Sequence, residues 1–355
     1  MNREAPGLIP AGGFPVISVI VAHPRRSTTH PTAVTPDRAN QAPAPRFPRP
    51  PGKGTLFPHA GHTRPSPPTT TTRTPEGELV SAEPSRLTLT ERSGLSRDPE
   101  AVREALYTHR IRLTGRLAEL SPADWTAPTR CTEWTVHEVA RHLVDVAEFH
   151  VACLTGRLAH SRFGRLREFD PTSTPGEWLR DSAGRSPEQT IDALVTLTEA
   201  EHDSLGRLID ASATVTSPLG GRWHWSVLAL HILWDAWMHE RDMSATLRAG
   251  RPQSAAIQRL VALYGLLVSA SVAARSGEVP QVTVRLVGSP DDMYEISGPR
   301  GDVRVTAGAT SSPHLSGRFE AVLESVAGRG PRLAEVVGVS NPAVEHLSRL
   351  TAIMK

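Results

Sequence analysis

Apolar residues recur three and four positions apart along most of the chain after residue 98, a spacing typical of helices that bury one face. We predict five helices, over residues 98–120, 135–156, 186–209, 225–247 and 256–275. Candidate caps mark four of these starts, two of them as capping boxes: Asp98 followed by Pro99, Thr135 with Glu138, Ser186 with Gln189, and Ser226 alone. Four helices of this length with one long connection predict a helical bundle.

The hydrophobic pattern changes to a period of two after residue 277, which is typical of strands. Three short antiparallel strands are predicted, over residues 282–288, 293–297 and 303–308. The segments that follow are predicted as a helix over 312–328, a strand over 334–339 and a closing helix over 341–354. The chain therefore ends in a small α+β domain.

The first 97 residues contain more than half of the chain's 31 prolines and have almost no apolar periodicity. Such a segment cannot bury enough apolar surface to offset the entropy of ordering it, so we expect it to be disordered. The predicted organisation is a disordered Pro/Thr/Arg-rich extension over residues 1–97, a helical bundle over 98–277 and the small α+β domain over 278–355. The predicted fold class is α+β.

Charge and cysteine content narrow the classes of function. The net charge is +2, and the basic excess lies in the extension, so the folded remainder is mildly acidic. An acidic folded part argues against a nucleic-acid partner. Cys131 and Cys153 alone give no disulfide framework, and no apolar run approaches the ~20 residues that a membrane helix needs. We expect a cytoplasmic protein with no nucleic-acid or membrane partner.

The fourth predicted helix carries four polar side chains on one face, within ~80° of one another at ~100° per residue: His231, Asp235, His239 and Asp242. Asp235 and His239, one turn apart, can place a carboxylate oxygen and an imidazole nitrogen on a single cation. Asp242 is expected behind the ligands, where it accepts a hydrogen bond from a liganding imidazole or from the neighbourhood of Arg241. His231 is interpreted as a core histidine bonded to Asp235, or as an outer member of the site.

His142 of the second predicted helix is the candidate third ligand. It shares a side of the helix with Val146 and Phe149, so it points inward, and a buried histidine needs a partner. Three protein ligands with one position left open form a catalytic zinc site, and the same donors also accept other divalent ions. A water or thiol at the open position would lose its proton near neutral pH. The other interpretation is structural: Asp235 and His239 pair with each other, and His142 bonds to a carbonyl.

Two segments, PTRCTEWTVHEVARHL and LWDAWMHERD, resemble the mycothiol-dependent maleylpyruvate isomerase family. The resemblance implies a DinB-like metal-binding four-helix bundle and, through LSGRFEAVLESVAGRG, a C-terminal domain similar to sterol carrier proteins. The residues that match the family pattern are Trp134, His142, Asp235, His239 and Asp242. Asp235 stands where the family usually has Glu, which shortens the reach of the carboxylate by one methylene group.

The resemblance also implies a mechanism, in which a divalent metal, with Zn²⁺ preferred, binds mycothiol as a thiolate whose sulfur attacks a small electrophilic substrate. The chain would then be a mycothiol-dependent isomerase or thiol transferase, with a small-molecule thiol and a small electrophile as partners. The alternative is a non-catalytic regulatory module that binds a metal ion or a hydrophobic ligand. An open coordination position at a cleft favours the enzyme, and a closed four-ligand site that includes His231 favours the module.

Overall fold

The computed structural model describes residues 99–164, 173–209, 213–217, 222–247, 253–273, 279–288, 292–298, 303–309, 311–339 and 342–348. The predicted disordered extension, residues 1–97, lies outside the described residues. The described segments combine a helical bundle with a small mixed sheet, which confirms the predicted α+β class.

The described helices before the main sheet are α1 (Pro99–Ala118), α2 (Pro122–Trp125), α3 (Val136–Leu154), α4 (Thr174–Asp181), α5 (Pro187–Gly206), α6 (Trp225–Asp242) and α7 (Ala255–Ala273). The five long ones, α1, α3, α5, α6 and α7, confirm the five helices predicted from the apolar spacing. Their buried apolar side chains belong to one continuous core. Helical periodicity is therefore a sufficient signal for the bundle.

The predicted cap Asp98 lies outside the described residues, and the other helix ends follow the predicted capping chemistry in all but one case. Capping boxes form at the starts of both α3 and α5, and Gly156, with φ of 67°, follows the end of α3. The predicted cap of α6, Ser226, is wrong. The helix begins at Trp225, and its cap is His224, whose ring nitrogen Nδ1 accepts a hydrogen bond from the backbone N–H of Ser226. A short strand ends at His224 and runs directly into the helix, so Ser226 is already inside the first turn.

Four helices form the bundle: α1 contacts α5 and α6, and α3 also contacts α5 and α6. An antiparallel hairpin of β1 (Thr214–Thr216) and β2 (Arg222–His224) connects α5 to α6. This arrangement lays α6 beside α3, and these are the two helices that carry the predicted ligands. No described helix is long and apolar enough to cross a membrane.

The stretch between α3 and α5 contains structure that the sequence pattern does not predict. A short 3-10 helix (Leu158–His160) and α4 lie there, in a segment for which the sequence pattern predicts no element. Trp178 and Leu179 of α4 are buried and pack on the bundle. Elements of one or two turns are too short to show a hydrophobic period, which is why the pattern misses them.

The sheet after the bundle has four strands in the order β5-β4-β3-β6. Their bounds are β3 (Val279–Val287), β4 (Asp292–Gly298), β5 (Arg304–Ala307) and β6 (Leu315–Arg318). The three predicted antiparallel strands are β3, β4 and β5, whereas β6 pairs in parallel with β3. Three short helices accompany the sheet: α8 (Phe319–Val326), α9 (Leu333–Val337) and α10 (Pro342–Leu347).

Two predictions for this part of the chain are wrong. The predicted helix over 312–328 begins with strand β6, and the predicted strand over 334–339 is helix α9. The sequence of α9 is a short apolar run, which periodicity alone cannot assign to helix or strand. Gly338, with φ of 67°, ends the helix in the left-handed conformation. The likeness of this sheet to sterol carrier proteins stays a prediction.

Candidate metal centre

The three predicted ligands lie together between α3 and α6. One donor atom each of His142, Asp235 and His239 lies within 4.8 Å of the other two. The rings of His142 and His239 meet edge to face, with 4.8 Å between their centroids, and His239 Nε2 lies 3.5 Å from Asp235 Oδ1. This spacing allows bonds of ~2 Å from each donor to one shared cation.

The donor atoms also lack the partners that buried polar groups require. Within the described part of the chain, His142 Nδ1 and Asp235 Oδ2 are buried without a hydrogen bond. Buried polar atoms are nearly always bonded, because burying them unpaired costs free energy. Two imidazoles and a carboxylate suit Zn²⁺ and other divalent first-row ions. The residues present therefore fit a divalent metal ion.

Burial and the attraction between the groups set the charge states of the three side chains. Burial lowers the pKa of His142 to about 3, and the nearby His239 adds to that effect, so His142 is neutral near pH 7. Burial acts against the charged forms of His239 and Asp235 as well, but their mutual attraction outweighs it. The pKa of His239 is raised well above its usual value, and the pKa of Asp235 is lowered well below its own.

The far side of His239 is held by a second buried carboxylate. Asp242 is fully buried, and its Oδ2 lies 3.2 Å from Nδ1 of His239. The thiol of Cys131 donates to the same oxygen at 3.2 Å, and Nε of Arg329 lies 3.4 Å from it. Asp242 therefore lies behind the imidazole of His239. Arg241, the other partner considered, bonds to Glu324 instead.

The other predicted member of the site lies outside this cluster. Nδ1 of His231 forms a hydrogen bond of 2.8 Å with the hydroxyl of Tyr264 on α7, which replaces the bond to Asp235 considered from the sequence. Burial lowers the pKa of His231 to about 4, and the neighbouring His150 contributes, so His231 is neutral near pH 7. Among the described residues, the group within 4.8 Å consists of His142, Asp235 and His239 without it.

Sequence reasoning misses two side chains of the site. Cys131 lies in the loop before α3, and its donor atom lies within 4.8 Å of donor atoms of His239 and Asp242. The backbone N–H of Arg130 next to it bonds to the carbonyl of Asp242, which ties this loop to the end of α6. Arg329 comes from the loop after α8, far away in the sequence. No local pattern could have indicated its position.

The sequence profile of one protein family, described as the mycothiol maleylpyruvate isomerase N-terminal domain, matches residues 106–244. These residues form a domain of that family. The mycothiol maleylpyruvate isomerase N-terminal domain thus extends from α1 to just beyond α6, and it contains His142, Asp235 and His239. No curated protein matches the sequence.

Two crystal structures resemble this chain: one of the mycothiol-dependent maleylpyruvate isomerase and one of a His-to-Ala mutant of the same enzyme. Each is 15% identical in sequence and covers 65% of this chain and 89% of its own, with a TM-score of 0.44. Assignment to the family therefore rests on the sequence profile.

Proposed function

We propose that this protein is a metal- and thiol-dependent isomerase or transferase of the mycothiol-dependent maleylpyruvate isomerase type. In this proposal His142, Asp235 and His239 hold one divalent ion, with Zn²⁺ preferred. The observation that carries the proposal is the meeting of these donors from two bundle helices, with buried donor atoms that have no hydrogen-bond partner among the described residues. The match of residues 106–244 to the family supports mycothiol as the cosubstrate.

The bound ion would lower the pKa of an incoming thiol and so supply a thiolate nucleophile at neutral pH. The protein's own residues prepare the place for it. His142 is neutral and can donate its lone pair, and the ionised Asp235 supplies negative charge. Asp242 lies 3.2 Å from Nδ1 of His239 and would orient the ring, whose Nε2 lies 3.5 Å from Asp235.

Three protein donors leave a coordination position for an exogenous ligand, as in catalytic zinc sites. His231, the residue that would complete a closed four-ligand site, bonds to Tyr264 instead. This observation favours the enzyme over the regulatory module. Because Asp235 stands where the family usually has Glu, we expect weaker metal binding or a different metal preference. The variant Asp235→Glu would restore the longer reach of the carboxylate.

The test is a titration of the Co²⁺-substituted protein with mycothiol, followed by absorption spectroscopy. We expect a sulfur-to-cobalt charge-transfer band that grows with the thiol and saturates. The measurement uses Cys131→Ser protein as well as the wild type, because Cys131 is the thiol next to the site and could give a band of its own.

Two further variants complete the design. His142→Ala should lose the band, and His160→Ala, which changes an exposed histidine, should retain it. A cobalt-loaded protein that shows no new band at saturating mycothiol would contradict the thiol-dependent function while leaving the metal centre in place.

A further inference from the structure

A second group of polar side chains meets in the core of the bundle, away from the metal centre. Each of the four bundle helices contributes one residue: Arg110 from α1, His150 from α3, Glu201 from α5 and His231 from α6. The side chains of Arg110, His150 and Glu201 are 0%, 2% and 1% exposed. A guanidinium and a carboxylate buried this deeply are costly unless their bonding capacity is satisfied.

The described protein groups do not satisfy the hydrogen-bonding capacity of Arg110, His150 and Glu201. Arg110 Nε lies 3.7 Å from Glu201 Oε2, and His150 Nδ1 lies 3.7 Å from Glu201 Oε1, which is longer than a hydrogen bond in both cases. All three guanidinium nitrogens, both carboxylate oxygens and His150 Nδ1 lack a hydrogen-bond partner within the described part of the chain. Six unpartnered buried atoms in one place indicate a bound polar species.

The position of the group relative to the metal centre follows from the spacing on the two helices. His150 comes eight residues after His142 on α3, and His231 comes eight residues before His239 on α6. The ring pairs match across the helices, with centroids 4.8 Å apart for His142 and His239 and 5.7 Å apart for His150 and His231. The helices therefore run antiparallel, and the second group lies about 12 Å, or two turns, from the first along the bundle.

The chemistry of the second group decides what it can hold. Two histidines and one carboxylate repeat the donor types of the metal centre, but the permanent positive charge of Arg110 stands among them and repels a metal ion. Glu201 in turn repels an anion. A neutral molecule that both donates and accepts hydrogen bonds suits a guanidinium, a carboxylate and an imidazole at once, and water is the smallest one.

We propose that Arg110, His150 and Glu201 bind ordered water in the core of the bundle, at a second polar site that is separate from the metal centre. Polar contacts longer than 3.5 Å are commonly bridged by water, and buried water typically has two to four polar partners. The 3.7 Å separations are bridged in this way. The ring of His231, which bonds to Tyr264, lies 5.7 Å from the ring of His150.

The test measures long-lived internal water by deuterium magnetic relaxation dispersion on the full-length, metal-loaded protein. The perturbed variant is Arg110→Met with Glu201→Leu, which replaces the buried ion pair by apolar groups of similar volume. We expect its dispersion amplitude to fall by at least one long-lived water molecule relative to the wild type. The matched control, Arg259→Met with Asp292→Leu, removes an ion pair near the surface and should leave the amplitude unchanged.

An unchanged amplitude in the Arg110/Glu201 variant would overturn the proposal. Metal content is measured on the same samples, and equal content with the wild type shows that the variant is folded around an intact metal centre. A second metal equivalent that is present in the wild type and lost in the Arg110/Glu201 variant would also overturn the proposal, because it would place an ion at the second site.

A crystal structure of the wild type at a resolution that shows water gives an independent answer if the double variant does not fold. Water density within hydrogen-bond distance of Arg110 and Glu201 supports the proposal. Direct bonds between the guanidinium and the carboxylate, with no water between them, would refute it. Neither result depends on the thiol chemistry, so the proposed function can fail without affecting this test.

Discussion

Glu240 joins α6 to α1 one residue after His239, and it offers the sharpest stability prediction. Its carboxylate is buried and contacts three side chains of α1. Nε2 of His109 lies 3.0 Å from Oε2, and the guanidinium groups of Arg112 and Arg116 form ion pairs with the carboxylate. The network fixes α6 against α1 beside the metal centre. Burial lowers the pKa of His109, so loss of the negative charge would leave the two guanidinium groups as the charges that face a neutral side chain.

The size of the effect follows from the pKa of this carboxyl group. Burial alone would raise the pKa of Glu240, but His109 and Arg112 outweigh it and lower the pKa from 4.5 to about 2. One pKa unit corresponds to about 1.4 kcal/mol, so the ionised carboxylate contributes about 3 kcal/mol to stability. Because the folded-state pKa is depressed, the contribution is complete above about pH 4.5 and is lost as the pH falls towards 2.

The perturbation is Glu240→Gln, and the assay is urea unfolding of the metal-free protein at pH 7 and near pH 2. We expect the variant to be less stable than the wild type by about 3 kcal/mol at pH 7, and the difference to shrink towards zero near pH 2. Glu133→Gln, at an exposed position, is the control and should follow the wild type at both pH values. A wild-type-to-variant difference that is independent of pH would refute the reasoning.

Three smaller predictions concern the site and its supports. Asp242→Asn, which removes the charge behind His239, should weaken Zn²⁺ binding about 10- to 100-fold in a chelator competition. An unchanged Zn²⁺ affinity would show that Asp242 does not orient His239. Thr135→Ala, which removes one half of the capping box of α3, should cost about 1 kcal/mol in urea unfolding, and a Thr135→Ser variant that is equally unstable would show a different cause. Burial raises the pKa of Cys153 to about 12, so a thiol reagent at pH 8 should label Cys131 far faster in the folded protein, and equal rates would contradict the burial.

The bundle was predictable because its signals are local. The apolar spacing defines α3 and α6, and the capping box at Thr135 sets the register of α3, so His142 points inward. The angular spacing of Asp235 and His239 on one helix face indicates that they share a site. That His142 meets them follows from the packing of α3 on α6, which the inward position of His142 and the family resemblance both indicate.

The features that the sequence misses depend on long-range packing. Arg329 reaches Asp242 from the loop after α8, which no local pattern encodes. The sequence pattern predicts a helix where strand β6 lies, because the pairing of β6 with β3 is non-local. A Cβ atom at Gly317 would lie 2.7 Å from the side chain of Val322, so the close approach of β6 to α8 requires glycine there. The geometry of the second polar group, with Arg110 opposite Glu201, likewise requires four packed helices.

The most direct test of the central claim is metal content, measured by elemental analysis of the purified full-length protein after exposure to Zn²⁺ and removal of unbound ions. The account predicts about one equivalent of metal in the wild type and in the exposed-site control His160→Ala. It predicts essentially none in the His142→Ala, His239→Ala double variant, provided that circular dichroism shows the same helix content. Equal metal in the double variant and the wild type would contradict it, because the ion would then bind elsewhere.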